Sequence, residues 1–191
     1  GLLGTVWWHK GDLAKAREFM ERALAINERR FGPDATEVAS SLHNLGNVLW
    51  TSGRYDEARK AFERSLAVRE KRFGPESAEV ASTLNSLGAI AYKEGDFQRA
   101  GELWERTLAI RDKALGPDHP LLAQTLNNLA IFYSYSGQPR RAVPLLERVV
   151  AIQEKVLGPD HPDLASGLMN LGEALYFSGV NGEARRYYDR A

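Results

Sequence analysis

Leu115-Gly116-Pro117-Asp118-His119-Pro120-Leu121-Leu122-Ala123-Gln124-Thr125-Leu126-Asn127-Asn128-Leu129-Ala130-Ile131-Phe132-Tyr133-Ser134-Tyr135-Ser136-Gly137 reads as a loop, a helix and a helix stop. The pattern recurs from Leu157 to Gly179, from Phe73 to Gly95 and from Phe31 to Gly53, and its tail stands at Leu3 to Gly11. Gly-Pro pairs begin at Gly32, Gly74, Gly116 and Gly158, a constant step of 42 residues. The stops Gly11, Gly53, Gly95, Gly137 and Gly179 keep that step, as do Ala16, Ala58, Ala100, Ala142 and Ala184. Self-similarity at a fixed period of this size predicts a stacked-repeat architecture whose core is a ribbon running through the stack.

Each unit divides into two helices, A and B. In the second unit helix A is predicted over 36–52, with Ala39, Leu42, Leu45, Gly46 and Leu49 at the three-and-four spacing of one helical face. Gly53 ends it, because glycine enters the left-handed cap at little cost. Helix B follows over 55–72, with Ala58, Phe62, Ser65 and Leu66 on its buried stripe, until Gly74 and Pro75 stop it. Pro120 and Pro162 suit the first position of the next helix A, and Asp34, Asp118 and Asp160 are expected to cap those helices. Pro144 is expected to bend its helix B slightly, and Gly101 and Gly182 each to cost about 1 kcal/mol relative to alanine. The units are 1–31 (truncated), 32–73, 74–115, 116–157 and 158–191 (truncated), one repeat domain. A start at Gly1 inside one unit and an end at Ala191 inside another set the expectation of an excerpt from a longer protein.

The motif Leu42-x-x-Leu45-Gly46-x-x-Leu49, then Ala58 and Phe62, resembles the tetratricopeptide repeat signature. It returns as Leu84, Leu87, Gly88, Ala100, Trp104, then Leu126, Leu129, Ala130, Tyr133, Ala142, Leu146, and last Leu168, Leu171, Gly172, Leu175, Ala184, Tyr188. The usual repeat has about 34 residues, so about eight more lengthen helix B and its exit loop here. That longer form, with Ala109-Ile-Arg-Asp-Lys-Ala-Leu-Gly-Pro-Asp-His-Pro120 and Ala142-Val-Pro144-Leu, is similar to the kinesin light chain subgroup. The resemblance spans the whole chain. It implies an all-α, right-handed solenoid of antiparallel helix pairs whose A helices line a concave groove, and a role as a protein–protein interaction scaffold.

The two helices differ in charge. Helix B of the second unit carries Arg54, Asp56, Glu57, Arg59, Lys60, Glu63, Arg64, Arg69, Glu70, Lys71 and Arg72 and reads as a solvated face laced with i,i+4 pairs. The A helix over 120–136 has no charged residue, and opposite Ala123, Leu126, Ala130 and Tyr133 it presents Gln124, Asn127, Ile131, Ser134 and Tyr135. Mapped on the family's groove, one row is His43, Asn85, Asn127 and Met169, and the next is Thr5, Asn47, Ala89, Ile131 and Glu173. A third row is Trp8, Trp50, Tyr92, Ser134 and Tyr176, flanked by His9, Thr51, Lys93, Tyr135 and Phe177. Asparagine offers donors and an acceptor to the peptide groups of an extended chain, and rings bury apolar side chains at low entropic cost. The binding candidates are therefore His43, Asn47, Trp50, Asn85, Tyr92, Lys93, Asn127, Ile131, Tyr135 and Tyr176. A second row, Asn44, Asn128 and Asn170, is assigned a structural role tying helix A to neighbouring backbone, and Trp50 and Tyr92 can also pack on adjacent A helices. His119 and His161 read as cap or turn residues.

Composition narrows the function. There are 25 basic and 25 acidic residues, so no net charge draws the chain to nucleic acid or an anionic membrane. The aromatics lie on A helices and the arginines on B helices, which separates the two signals of a nucleic-acid surface. No cysteine, spanning-length apolar run or signal-peptide pattern is present, and a cytoplasmic setting is expected. No nucleophile elbow, phosphate loop or His-x-x-x-His pair appears, so neither an enzyme nor a metal or cofactor is expected. The expected partner is a neutral or mildly apolar protein segment, because cations are few in the groove: Lys93, with His9 and His43 as histidines. Two alternatives stand beside this: the sensor domain of a larger protease or kinase, and head-to-tail self-association. The latter would use Leu2, Leu3, Val6 and Trp7 at one end and Tyr187 and Tyr188 at the other.

Overall fold

A computed structural model describes residues 2–191, and all that follows concerns those residues. They form ten helices: α1 (Leu2–His9), α2 (Leu13–Phe31), α3 (Thr36–Thr51), α4 (Tyr55–Phe73), α5 (Ala78–Glu94), α6 (Phe97–Leu115), α7 (Pro120–Tyr135), α8 (Pro139–Leu157), α9 (Leu164–Phe177) and α10 (Asn181–Arg190). The fold is an all-α solenoid of helix pairs in which odd-numbered helices are the A helices and even-numbered ones the B helices. The helices group into two compact bodies, Gly1–Ile90 and Ala91–Ala191, with the division inside α5.

Predicted and observed boundaries agree to a residue or two, with α9 beginning after Pro162 rather than at it. Gly53 (φ +73°) sits in the left-handed region, where its N–H reaches the Trp50 carbonyl at 3.0 Å and turns the chain into α4. Pro144, the sixth residue of α8, is carried within an unbroken helix.

The signature glycines are set by packing. A Cβ on Gly46 would come within 2.7 Å of the Phe62 ring, on Gly172 within 2.7 Å of Tyr188, and on Gly4 within 2.9 Å of Met20. Each glycine lets a large B-helix side chain lie flat on the A helix of its own unit, where Phe62 and Met20 are buried. Gly101 has the same cause rather than being a simple helix penalty: its Cβ would stand 2.8 Å from Phe132. The α7, α8 core joins Leu122, Ala123, Leu126, Val149 and Ile152.

The cap assignments need correcting. The residue before α3 is Ala35, which makes no side-chain cap, and Asp34 instead pairs with Lys71. His119 caps α7, its Nδ1 accepting from the Leu121 N–H at 3.1 Å, while Asp118 pairs with Lys155. Asp160 does not cap α9 either: the residue before that helix is Asp163. His161 Nδ1 accepts from the Asp163 N–H at 3.2 Å, so both histidines are turn residues as expected. The outer face carries the local pairs read from sequence, such as Arg59–Asp56, and also a ladder between successive B helices. Arg64–Glu28, Arg148–Asp112 and Arg190–Glu154 occupy matching positions in the second, fourth and fifth repeats and tie α4 to α2, α8 to α6 and α10 to α8.

Candidate functional site: the A-helix faces

Within residues 91–191 the uncharged stretch of α7 becomes a face. Helical geometry buries Leu122, Ala123, Leu126, Leu129, Ala130 and Tyr133, and leaves Asn127 and Ile131 half-buried and Tyr135 75 % exposed. On α9 the same side shows Met169, Tyr176 and Phe177, all exposed, with Tyr176 at 57 %. Tyr92 lies at the C-terminal end of α5 and is half-buried, its ring 5.3 Å from Phe97 and 5.8 Å from Trp104. Burial first, and then the neighbouring Tyr135 phenol, push the Tyr92 hydroxyl above its ordinary pKa, so these two predicted residues are brought together. Lys93 beside them is exposed.

Within residues 2–90 the face of α3 is more closed. Trp50 is half-buried with its ring 4.9 Å from Tyr55, so it packs on the following B helix. Asn47 is half-buried. His43 lies edge-on to Phe62 at 5.2 Å, and its Nδ1 is buried without a hydrogen-bond partner. Burial, and secondarily the Arg69 guanidinium, lower its pKa to about 4, which keeps the imidazole neutral near pH 7. Asn85 is only 8 % exposed and offers little to a ligand from that depth.

The second asparagine row does not act as one set. Asn44 is exposed and Asn128 half-buried, whereas Asn170 donates from Nδ2 to Asn127 Oδ1 at 2.9 Å. Asn170 therefore meets a groove residue of the adjoining A helix rather than backbone.

The feature that sequence reading missed lies deeper, between each B helix and the next A helix. Asn27 donates to the Glu37 carbonyl and, at 2.8 Å, to Ser41 Oγ. Arg69 Nη1 donates to the Glu79 carbonyl at 2.6 Å and to Thr83 Oγ1 at 2.8 Å. Arg111 Nη1 repeats this on the Leu121 carbonyl at 2.7 Å and Thr125 Oγ1 at 2.6 Å. Arg111 is 3 % exposed, and burial pushes its guanidinium below the ordinary arginine value. These donors stand 42 residues apart, as do the hydroxyls, and the fourth members are Gln153 and Gly167. There the latch is not made. Gln153 Oε1 is buried with no partner, and a hollow of about 390 Å³ opens between α7, α8 and α9. Asn127, Gln124, Asn170, Ser166 and Gln153 line it together with Ala123, Ile152 and Val156. The signal was available, since the comb Asn27, Arg69, Arg111, Gln153 keeps the same step as the glycines.

A second polar cluster lies on the other side of α7. Tyr133 donates to Glu105 and accepts from Arg141 Nη2 at 2.7 Å, with the Arg141 guanidinium 4.0 Å from the ring centroid. Burial, then the Glu105 carboxylate, push the phenol up to about 12, so it stays protonated and acts as a bridge. Among the described residues no group of three or more His, Cys, Asp or Glu side chains could hold a metal, and no helix is long and apolar enough to cross a membrane.

A family model described as tetratricopeptide repeat matches residues 1–71, 79–155 and 142–191. A crystal structure of nearly identical TPR-like repeats from a Podosopora anserina putative kinesin light chain is 29 % identical with a TM-score of 0.82, covering 98 % of this chain and 89 % of that one. BtubC (BKLC) from P. vanneervenii is 24 % identical with a TM-score of 0.87, covering 98 % and 75 %. The MamA protein shares the fold at 18 % identity and a TM-score of 0.67, covering 98 % and 85 %. No curated protein sequence matches the chain significantly.

Proposed function

The chain belongs to the tetratricopeptide repeat family, whose repeats generally serve as protein–protein interaction scaffolds, and we propose that it docks a neutral to mildly apolar protein segment along its A-helix faces. One observation carries this reading: α7 and α9 present Asn127, Ile131, Met169, Tyr135 and Tyr176 to solvent with no charge on α7 and only Glu173 on α9. Exposed apolar and aromatic side chains grouped on one face, rimmed by hydrogen-bonding amides, mark a binding surface more than a solvated one. Asn127 supplies an amide to a guest backbone, and Tyr135 with Tyr92 supplies rings for an aliphatic or aromatic anchor. Lys93 is the single cation beside these residues on α5, which disfavours recognition by a terminal carboxylate. The chain itself is read as non-catalytic, acting by binding in a cytoplasmic setting.

The test is selection of peptides from a random display library on the immobilised 191-residue chain, followed by calorimetry. Tyr135→Ser with Tyr176→Ser should weaken the selected peptides by about tenfold or more, the cost of losing two aromatic contacts. Unchanged affinity in a folded variant removes the A-helix faces from the function. A second reading, association between copies, is supported by the exposed Leu2, Leu3 and Val6 on α1. Sedimentation velocity across a concentration series separates it, because a segment-docking monomer keeps one sedimentation coefficient.

A further inference from the structure

We infer that the hollow between α7, α8 and α9 is a pocket for the one arginine side chain of an otherwise mildly apolar docked segment. The chain shows what this place in the fold accepts. One unit earlier the equivalent space is filled by Arg111, a buried guanidinium held on a carbonyl and a hydroxyl, both neutral acceptors. Two units earlier Arg69 makes the same two bonds. At the fourth position the internal donor is shortened to Gln153 and the hydroxyl is removed at Gly167.

What remains is an acceptor looking for a donor. Gln153 Oε1 is buried and unpartnered, and it lies so close to Gly167 that a Cβ there would collide with it. Gly167 is thus the residue that lets the amide rest against α9. Asn127 and Asn170 also line the hollow, Asn127 Oδ1 accepting from Asn170 Nδ2 and keeping a second lone pair, and Ala123, Ile152 and Val156 provide apolar wall for the three methylenes of an arginine stem. A volume of about 390 Å³ admits that side chain. Guanidinium is planar, weakly hydrated and carries five donors, so it tolerates neutral acceptors in a partly dry site. Lysine, a compact and strongly hydrated ammonium, loses more on entering. A carboxylate would face the Gln153 oxygen.

The proposal rests on the A-helix docking role only for the origin of the arginine, and its test does not require a docked segment. N-acetyl-arginine-N-methylamide, with the lysine counterpart as control, is titrated into the isotope-labelled 191-residue chain while the side-chain amides of Gln153, Asn127 and Asn170 are followed by NMR. The arginine probe is expected to shift them saturably in the millimolar range, with the lysine probe weaker by about tenfold. Gln153→Arg with Gly167→Thr rebuilds the Arg111–Thr125 arrangement, so this variant should melt above the parent and no longer respond to the probe. Asn170→Ala, which removes an amide oxygen from the lining together with the donor that orients Asn127, should weaken the probe several-fold and serves if the double variant does not fold. The pocket is overturned by an absent response, by equal response to both probes, or by a response that survives the rebuilt latch. A chain that ignores the probe yet binds arginine-free segments on α7 retains the docking role without the pocket. Probe binding without any segment binding retains the pocket alone.

Discussion

Two clefts in residues 91–191, one repeat apart, make opposite use of the same geometry. Between α6 and α7 the Arg111 guanidinium is drawn inside, and two neutral oxygens satisfy it. Between α8 and α9 Gln153 cannot reach equivalent partners and Gly167 offers none, so the cleft stays open. The difference is one donor and one hydroxyl. In an array of near-copies, function is best sought where a position leaves the shared register, because the remaining copies show what that position does when it is purely structural.

The largest expected effect comes from emptying the filled cleft. Arg111→Ala removes two buried charge-assisted hydrogen bonds and leaves a void, and should cost roughly 3 kcal/mol in urea unfolding. Gln153→Ala, which breaks no bond made by Oε1, should cost under about 1 kcal/mol. Equal costs would show that the Arg111 latch contributes no more than the open amide. Because solenoid units open locally, hydrogen exchange of α6 and α7 amides should report the Arg111→Ala loss more sharply than a global melt.

The next effect concerns His43, which lines the Arg69 cleft in residues 2–90 and is lowered to about 4 from an ordinary 6.5. Between those values the unfolded chain binds a proton that the folded chain refuses. Stability therefore rises with pH from about 4 to 6.5 and levels off above, by at most roughly 3 kcal/mol. Asp34 and Asp12, held low by Lys71 and by the Lys15 backbone N–H, act below this window, losing their contribution as pH falls through their depressed values. His43→Asn, the residue type at the matching position in the next two units, should flatten the 4–6.5 window while leaving the acid limb unchanged. A slope that persists in this variant places the titration elsewhere.

The smallest effect belongs to the exposed ion pairs of the outer face. Lys155→Met breaks its pair with Asp118, and both groups are more than half exposed, so the change should stay under about 1 kcal/mol and vanish in high salt. A loss as large as that of Arg111→Ala would erase the contrast between the dry latch and the wet ion pairs.

Much of this was legible in the residues. The helix ends followed from Gly53 and Gly74, the buried stripes from three-and-four spacing, and the neutrality of α7 from its lack of charge. The site was legible only as a set of faces. Rows read from register placed Asn85 beside Asn127, yet Asn85 is buried and Asn127 half-exposed. Asn170, assigned to backbone, instead bonds Asn127. Register gives the direction of a side chain on its helix, not the depth at which neighbouring helices cover it.

The sequence by itself determined the repeat, the helix pairing and the segregation of charge, because periodicity and chain stops act within a few residues. Tertiary structure decided which polar groups find partners. Arg111 is satisfied and Gln153 is not because hydrogen bonds between a B helix and the following A helix depend on ångström-level reach across a packed interface, which spacing along the chain does not encode.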